Sequence, residues 1–205
     1  LIFELFPYPQ RLRALVPVFW LYQRLGVDRA GILDRLPARV RAMATMLPRV
    51  SLRRAFRRLP ARIAPRSAPR RRVGLLLGCV QQVFFAEVNA ATARVLAAEG
   101  CEVIVPPGQG CCGALGVHAG QEAEAIAQAK RTIDVFESAG VDTIVINAAG
   151  CGSTMKQYGH LLRDDPEYAE RAERFAARCQ DISEVLAALP PQAPRHPLPI
   201  RLAYH

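Results

Sequence analysis

The feature that most constrains this chain is a set of four cysteines in three glycine-flanked clusters between residues 78 and 152. The clusters read GCV at Cys79, GCCG at Cys111 and Cys112, and GCG at Cys151. Each cluster follows a short apolar run and precedes an amphipathic one, which is typical of a turn between a strand and a helix. We therefore predict that three loops, remote in sequence, meet to form one thiolate site.

The runs that precede the clusters predict strands at residues 73–77, 102–106 and 143–147. These runs are short, rich in β-branched residues or leucine, and bounded by glycine, proline or asparagine. Between them the apolar residues recur with helical spacing, which predicts one buried helix face in each interval. The two predicted faces consist of Val88, Ala91, Val95 and Leu96, and of Ile126, Ala129, Ile133 and Phe136. This alternation predicts an α/β fold with a parallel, Rossmann-like sheet flanked by helices.

In such a sheet the turns from strand to helix lie on one edge, where ligands bind. Unpaired N–H groups at a helix N-terminus lower the pKa of a nearby cysteine and stabilise anionic sulfur. Sulfur ligands select zinc, copper(I) or iron-sulfur clusters over hard cations such as magnesium. The alternative is that these cysteines are inert and buried, since a free cysteine packs as a small apolar side chain. Four cysteines at equivalent turn positions favour the ligand interpretation.

The sequence around the clusters resembles a known cysteine-rich family. The stretches GCV, GCCGAL and AAGCGSTMKQYGHLL resemble the CCG domain that is shared with heterodisulfide reductases. The stretches NAATARVLAAEG and MKQYG look most like the iron-sulfur subunit of bacterial glycolate oxidase, a three-subunit flavoenzyme. The resemblance covers roughly residues 73–189, and more loosely the region before them.

The resemblance implies an electron-transfer subunit of a flavin-dependent glycolate oxidase or dehydrogenase. Its cofactor and metal ligands would be Cys79, Cys111, Cys112 and Cys151, and the expected cofactor is a [4Fe-4S] cluster. Oxidation of glycolate to glyoxylate would occur on a separate, FAD-containing partner subunit. Two alternatives stay open: a zinc-binding or metal-free structural module that joins redox subunits, or the equivalent subunit of a lactate or glycerol-3-phosphate oxidising complex.

The chain departs from the reductase pattern at its last cysteine. That pattern ends in CxxC and supplies five cysteines, whereas this chain reads Cys151, Gly152, Ser153 and Thr154. Four sulfurs suffice for a cubane [4Fe-4S] cluster or a tetrahedral zinc ion, so disulfide-reductase chemistry is not expected. His118 could replace the missing ligand, although a lone histidine near a turn is more often a capping or surface residue.

The composition and the family resemblance together imply three parts. Residues 1–72 form a helical segment and an arginine- and proline-rich linker, residues 73–189 form the CCG cysteine-rich α/β domain, and residues 190–205 form a linker and the start of a truncated second half. We therefore expect a fragment of a longer polypeptide. In the resembling family a ferredoxin-type domain precedes this region, and the chain has no CxxCxxC run that would represent it.

The segment before residue 47 is apolar at helical spacing, with predicted breaks at Pro7, Pro9, Pro17 and Pro37. Residues 14–22 are too few to cross a bilayer, which needs about 20 apolar residues. The segment either packs on another domain or lies at a membrane surface as an amphipathic helix. The apolar side chains concerned are Leu12, Leu15, Val16, Phe19 and Trp20.

Residues 53–72 are crowded with arginines and spaced by prolines, and they supply much of the formal net charge of +9. This composition predicts an extended, solvated linker. Clustered arginines can neutralise phosphates, but the segment has no interleaved aromatic residues and no nucleic-acid reader motif. We predict instead a docking surface for an acidic partner subunit.

The remaining cysteines are predicted to be structural. Cys101 begins a strand at the end away from the proposed site, and Cys179 shares an apolar helix face with Tyr168, Ala172 and Phe175. The family signature CGSTMKQYG also contains Lys156 and Tyr158. A positive Lys156 would moderate the charge of a thiolate cluster, whereas the alternative is a solvated lysine and a packed tyrosine.

The sequence also indicates the cellular location of the protein and argues against disulfide bonds and a nucleotide site. A core rich in leucine and valine needs no disulfides, which favours a reducing, cytoplasmic setting over three disulfide bonds. Peripheral contact with the inner face of the cell membrane is a further expectation. A nucleotide site is not favoured, because no GxGxxG follows a strand.

Overall fold

The computed structural model describes residues 2–27, 37–38, 41–42, 47–197 and 199–201. Within this part of the chain a five-stranded sheet has the order β1-β3-β2-β4-β5. The strands are β1 (Arg62–Ile63), β2 (Arg71–Leu75), β3 (Cys101–Ile104), β4 (Thr143–Ile146) and β5 (Cys179–Asp181). The helices are α1 (Ile2–Leu5), α2 (Pro9–Arg24), α3 (Leu52–Ala55), α4 (Gln81–Phe84), α5 (Ala86–Ala98), α6 (Ala114–His118), α7 (Glu122–Ser138), α8 (Ala149–Lys156), α9 (Tyr158–Leu161), α10 (Ala169–Ala177) and α11 (Ile182–Ala188).

The sheet confirms the predicted α/β class. Strands β2, β3, β4 and β5 run parallel, and Val73 of β2 lies opposite Val103 of β3 and Thr143 of β4. The three predicted strands are all present but end one or two residues early, because the chain already turns there toward the cysteine loops. Strand β5 was missed, since three residues of sequence CQD carry no apolar pattern.

The prediction of a solvated linker over residues 53–72 is wrong for part of that segment. Strand β1 pairs antiparallel with β3, and two further arginines form the start of β2. The sheet tolerates this charge because Glu102 of β3 forms ion pairs with Arg62 and Arg72. Ile63 is half-buried against the core cluster of this side of the sheet.

The core lies on both faces of the sheet, and α7 covers one of them as predicted. Ala129, Ile133 and Phe136 are fully buried, and Ile126 packs against the same cluster. Phe136 also meets the ring of Phe175 of α10 edge-on, with the ring centroids 6.3 Å apart.

The predicted buried face of α5 is confirmed at Leu96 and wrong at Val88 and Val95. Leu96 is fully buried, whereas Val88 and Val95 are 40% and 43% exposed, and the buried positions beside Leu96 include Ala90 and Ala93. The buried face of this helix is rich in alanine and also holds Asn89, Thr92 and Leu96, and the small side chains let the helix approach the sheet closely.

Helix α2 runs through Pro17 without ending, so the predicted break at that position is wrong. Leu12 and Val16 are buried against Ala55 and Val83, and this packing outweighs the hydrogen bond that the proline removes. Pro7 and Pro9 do fall in the turn before α2 and at its first residue. Most of the sequence around the predicted break at Pro37 lies outside the described residues. No helix in the described ranges combines the length and the apolar content that a bilayer crossing requires.

Cys179 lies in the core as predicted, at 4% exposure, but it begins β5 and is not on a helix face, because α10 ends two residues earlier. A capping box begins α11. The Asp181 side chain accepts a hydrogen bond from the backbone N–H of Ser183, and Glu184 accepts one from that of Asp181.

Gly100 lies between α5 and β3, where it packs closely against the segment before β2. Its φ is +86°, and a Cβ there would clash with the carbonyl oxygen of Ala68. We expect Gly100→Ala to lower the free energy of unfolding by roughly 2 to 5 kcal/mol, the sum of a left-handed backbone penalty and an overpacking cost. Gly140→Ala is the control, because Gly140 has φ +58° and nothing within 4 Å; it should cost only about 1–2 kcal/mol. Urea unfolding measures both changes, and an equal decrease in the free energy of unfolding for the two variants would contradict the steric explanation.

Candidate metal centre

The four clustered cysteines lie at the carboxyl edge of the parallel strands. Cys79 is in the turn between β2 and α4, Cys111 and Cys112 are in the loop between β3 and α6, and Cys151 is in the first turn of α8. Three loops that are far apart in sequence therefore reach one edge because their strands are neighbours in the sheet.

The sulfurs are in contact. The Cys79 thiol donates to Sγ of Cys111 over 3.5 Å, and the Cys112 thiol interacts with the sulfurs of both Cys111 and Cys151. Cys111 and Cys112 are buried, Cys79 and Cys151 are half-buried, and all six cysteines of the chain are free thiols. The structure thus brings together the four residues that the sequence singled out, while their role as metal ligands stays a prediction.

The contacts sort the sulfurs into donors and acceptors. The pKa of Cys111 is lowered to about 3, because its sulfur accepts hydrogen bonds from Cys112 and Cys79 and from the backbone N–H of Gly113, which is 3.4 Å away. The pKa of Cys151 is lowered by the hydrogen bond from Cys112. Cys79 and Cys112 donate these bonds, so their pKa values are raised, and burial raises them further.

The lowered pKa values of Cys111 and Cys151 suit a soft metal, because a cysteine binds a metal as the thiolate. A metal bound by all four sulfurs would also displace the protons of Cys79 and Cys112. In the described part of the chain no three His, Cys, Asp or Glu side chains already surround a common point. The sulfurs form a chain of contacts, so a single metal ion bound by all four would require their loops to shift.

Tyr158 of α9 anchors the backbone of the loop that carries Cys111 and Cys112. Its hydroxyl donates to the carbonyl oxygen of Cys112 over 2.6 Å, and the side chain is fully buried. Its ring stacks on Phe175, with centroids 5.4 Å apart. Burial raises the pKa of Tyr158, which keeps the hydroxyl protonated as a donor. Tyr158 therefore fixes the loop that carries Cys111 and Cys112.

An amide network joins the other two loops, and sequence reasoning missed it. Asn89 of α5, 2% exposed, donates to the carbonyl oxygen of Leu77 over 2.8 Å. Its Oδ1 accepts from Gln81 Nε2 at 3.1 Å and from Asn147 Nδ2 at 3.0 Å. Asn147 also binds Gln81 and Thr92. One feature of the sequence could have indicated this network. Asn147 is a polar residue directly after a strand, and Asn89 is a polar residue on the buried side of α5.

Gln109 holds the loop between β3 and α6 through hydrogen bonds of its side-chain amide. Its Nε2 donates to the carbonyl oxygens of Leu75 and Pro106, each at 3.1 Å, and its Oε1 accepts from the backbone N–H of Leu77 at 3.0 Å. The loop after β3 is thereby tied to the end of β2.

The other residues considered from the sequence lie apart from these contacts. His118 is exposed at the last position of α6. The Lys156 ammonium binds both carboxylate oxygens of Glu184, at 2.8 and 2.7 Å, so its charge is paired there. Cys101 is fully buried at the first residue of β3, the opposite end of that strand from the site, and burial raises its pKa.

Two family models match parts of this chain. Residues 73–156 match the family model of the cysteine-rich domain CCG. Residues 1–47 match the family model described as the linker region of the glycolate oxidase iron-sulfur subunit. No solved structure matches the chain.

Several curated proteins are similar to this chain. A probable glycolate oxidase iron-sulfur subunit of Bacillus subtilis is 40% identical over 191 residues, which are 91% of this chain and 43% of that protein. The glycolate oxidase iron-sulfur subunit of Escherichia coli is 33% identical over 213 residues, 97% of this chain and 48% of that protein. Lactate utilization protein A of Bacillus licheniformis is 34% identical over 115 residues, 56% of this chain and 48% of that protein. The chain thus spans less than half the length of these relatives.

Proposed function

Because the chain belongs to the family of cysteine-rich CCG proteins, we propose that it is the electron-transfer part of a flavin-dependent glycolate oxidase complex. The observation that carries this proposal is the meeting of four free thiols from three loops at one edge of the sheet. The names of two relatives that align with more than nine-tenths of the chain support glycolate as the substrate of the complex.

Cys79, Cys111, Cys112 and Cys151 would hold a [4Fe-4S] cluster in this proposal. When bound, such a cluster takes up and releases single electrons. The chain's own residues set the environment of the sulfurs: Gly113 donates a backbone hydrogen bond to Cys111, and Tyr158 holds the Cys112 backbone. Hydrogen bonds to ligand sulfurs and restricted solvent access are the means by which proteins tune such centres.

Substrate oxidation would take place on FAD in a partner subunit, and this chain would carry electrons away from it. The exposed arginines of residues 53–72 are proposed to dock that subunit. Six free thiols support a reducing compartment, so we place the protein in the cytoplasm. Peripheral contact with the inner face of the membrane stays a prediction.

A zinc site is the second candidate, and one distance favours it. Four Zn–S bonds of about 2.3 Å in a tetrahedron place the sulfurs roughly 3.8 Å apart. The 3.5 Å between Cys79 Sγ and Cys111 Sγ is close to that separation. A role in a lactate-oxidising complex is less well supported, since the similarity to lactate utilization protein A covers 56% of the chain.

Metal analysis of the anaerobically purified complex tests the proposal. We expect iron and acid-labile sulfide in equal amounts, little zinc, and an electron paramagnetic resonance signal that develops when glycolate is added. The signal is the decisive readout, because it requires iron at a centre in electronic contact with the flavin. One zinc per polypeptide, with no glycolate-dependent signal assignable to this domain, would contradict the proposal and support the structural zinc module.

A further inference from the structure

A cavity of about 400 Å³ lies beside the Cys79 loop. It is bounded by α2, the segment after α3 and the loop after β3. Three arginines and four amide side chains contribute its polar surface, and within the described part of the chain its wall includes no Asp or Glu. These polar residues are Gln10, Arg13, Arg57, Arg58, Gln82, Asn89 and Gln109.

Arg13 carries a positive charge that its immediate contacts do not neutralise. Its Nε donates to the carbonyl oxygen of Ala55 over 3.1 Å, and its Nη2 donates to Gln82 Oε1 over 2.9 Å. Both acceptors are neutral. Burial and the nearby charge of Arg58 lower the pKa of Arg13, which shows that the surroundings oppose its charge. A guanidinium has five N–H donors, so donors remain for a ligand.

The two other arginines add to this unbalanced charge. Arg57 and Arg58 are exposed at the cavity mouth. Among the described residues, the ion pairs of the chain include no partner for Arg13, Arg57 or Arg58. Converging guanidinium groups without a carboxylate are the usual means of binding carboxylates and phosphates.

We propose that this cavity binds a small oxoanion, a carboxylate or a phosphate, through Arg13 and Arg58. Its volume lies within the range of about 300–1,000 Å³ that small-molecule sites occupy. Part of its wall is apolar, with Leu77, Val105 and Pro106 contributing. An organic anion with a short carbon skeleton therefore suits it as well as a free ion.

Gln82 links this cavity to the cysteine centre. Its Oε1 accepts from Arg13, and its Nε2 donates to the carbonyl oxygen of Gly78 over 3.0 Å, one residue before Cys79. An anion that draws the Arg13 guanidinium toward itself therefore changes a contact of the Cys79 turn. Binding at the cavity and the position of one site sulfur are connected by a single side chain.

Isothermal titration of the full-length protein tests the proposal, with inorganic phosphate in one arm and malonate in the other. We expect saturable binding of at least one probe, weakened about tenfold by Arg58→Gln, as loss of one charged hydrogen bond implies. Arg94→Gln is the control, because Arg94 is exposed on α5 and does not line the cavity. It removes the same charge and should leave the affinity within about twofold, since only screened long-range charge is lost.

Arg13→Gln should weaken binding further, but it also removes a contact that holds α2 to α3, so Arg58→Gln carries the test. The arm that saturates identifies the ligand class as phosphate or carboxylate. No saturable binding in either arm, or equal weakening by Arg58→Gln and Arg94→Gln, would overturn the proposal. Neither result depends on metal content, so this proposal is tested separately from the function proposed above.

Discussion

Under the proposed function, replacement of Cys111 by alanine should lower the iron content by about four atoms per polypeptide, the iron of one [4Fe-4S] cluster. Cys111 occupies the middle of the sulfur contacts, because it accepts hydrogen bonds from Cys112, Cys79 and the Gly113 N–H. Its alanine variant leaves Cys79 without its sulfur neighbour and breaks the contact chain in two. Iron and sulfide assays on the anaerobically purified protein, with electron paramagnetic resonance to separate this centre from others, give the measurement.

Cys101→Ala is the matched control. Cys101 is fully buried in the same sheet but at the opposite end of β3. The variant should keep the iron and lose roughly 0.5–3 kcal/mol of stability, as core truncations do. His118→Ala should also keep the iron, since that side chain is exposed on α6. Full iron in the Cys111 variant, or equal losses in the Cys111 and Cys101 variants, would show that the sulfurs at this edge do not bind the cluster.

The convergence of the cysteines was predictable because it follows from topology alone. Once β2, β3 and β4 are parallel neighbours, the loops after them share an edge whatever their sequences. The buried face of α7 could be predicted equally well. Ile133 and Phe136 recur at helical spacing, so both lie on the side of the helix that faces the core.

Other features could not be predicted, because they depend on contacts between elements. The inner face of α5 carries Asn89 and alanines where apolar spacing favoured Val88 and Val95. This helix packs closely on the sheet and also supplies the Asn89 amide to two loops. The apolar pattern of the sequence indicates neither feature. Arg62 entered the sheet for a similar reason, since its carboxylate partner Glu102 lies 40 residues away in the sequence. Pro17 remained helical because tertiary packing of α2 outweighs a local propensity.

The arrangement of the site therefore depends on a buried amide whose function only the folded chain shows. Asn89 makes three hydrogen bonds, to Leu77, Gln81 and Asn147, and these span the Cys79 loop and the end of β4 that leads to Cys151. Leucine has nearly the same size but cannot form any of them. The Leu77 carbonyl would lose this donor, and the amides of Gln81 and Asn147 would each lose one acceptor.

We expect Asn89→Leu to lower the local opening free energy of α5 and β2 by roughly 2–4 kcal/mol, at about 1–3 kcal/mol for each buried polar group left without a partner. Hydrogen exchange of the amides in these elements measures that energy without requiring the whole protein to unfold. The iron content should fall as well, because the Cys79 and Cys151 loops are no longer held in register. Thr92→Val, on the same helix, removes a single acceptor of Asn147, which keeps its bond to Asn89; this variant should cost about 1 kcal/mol and retain iron. If Asn89→Leu opened no more readily than Thr92→Val and kept its iron, the two loops would be positioned by their backbones alone.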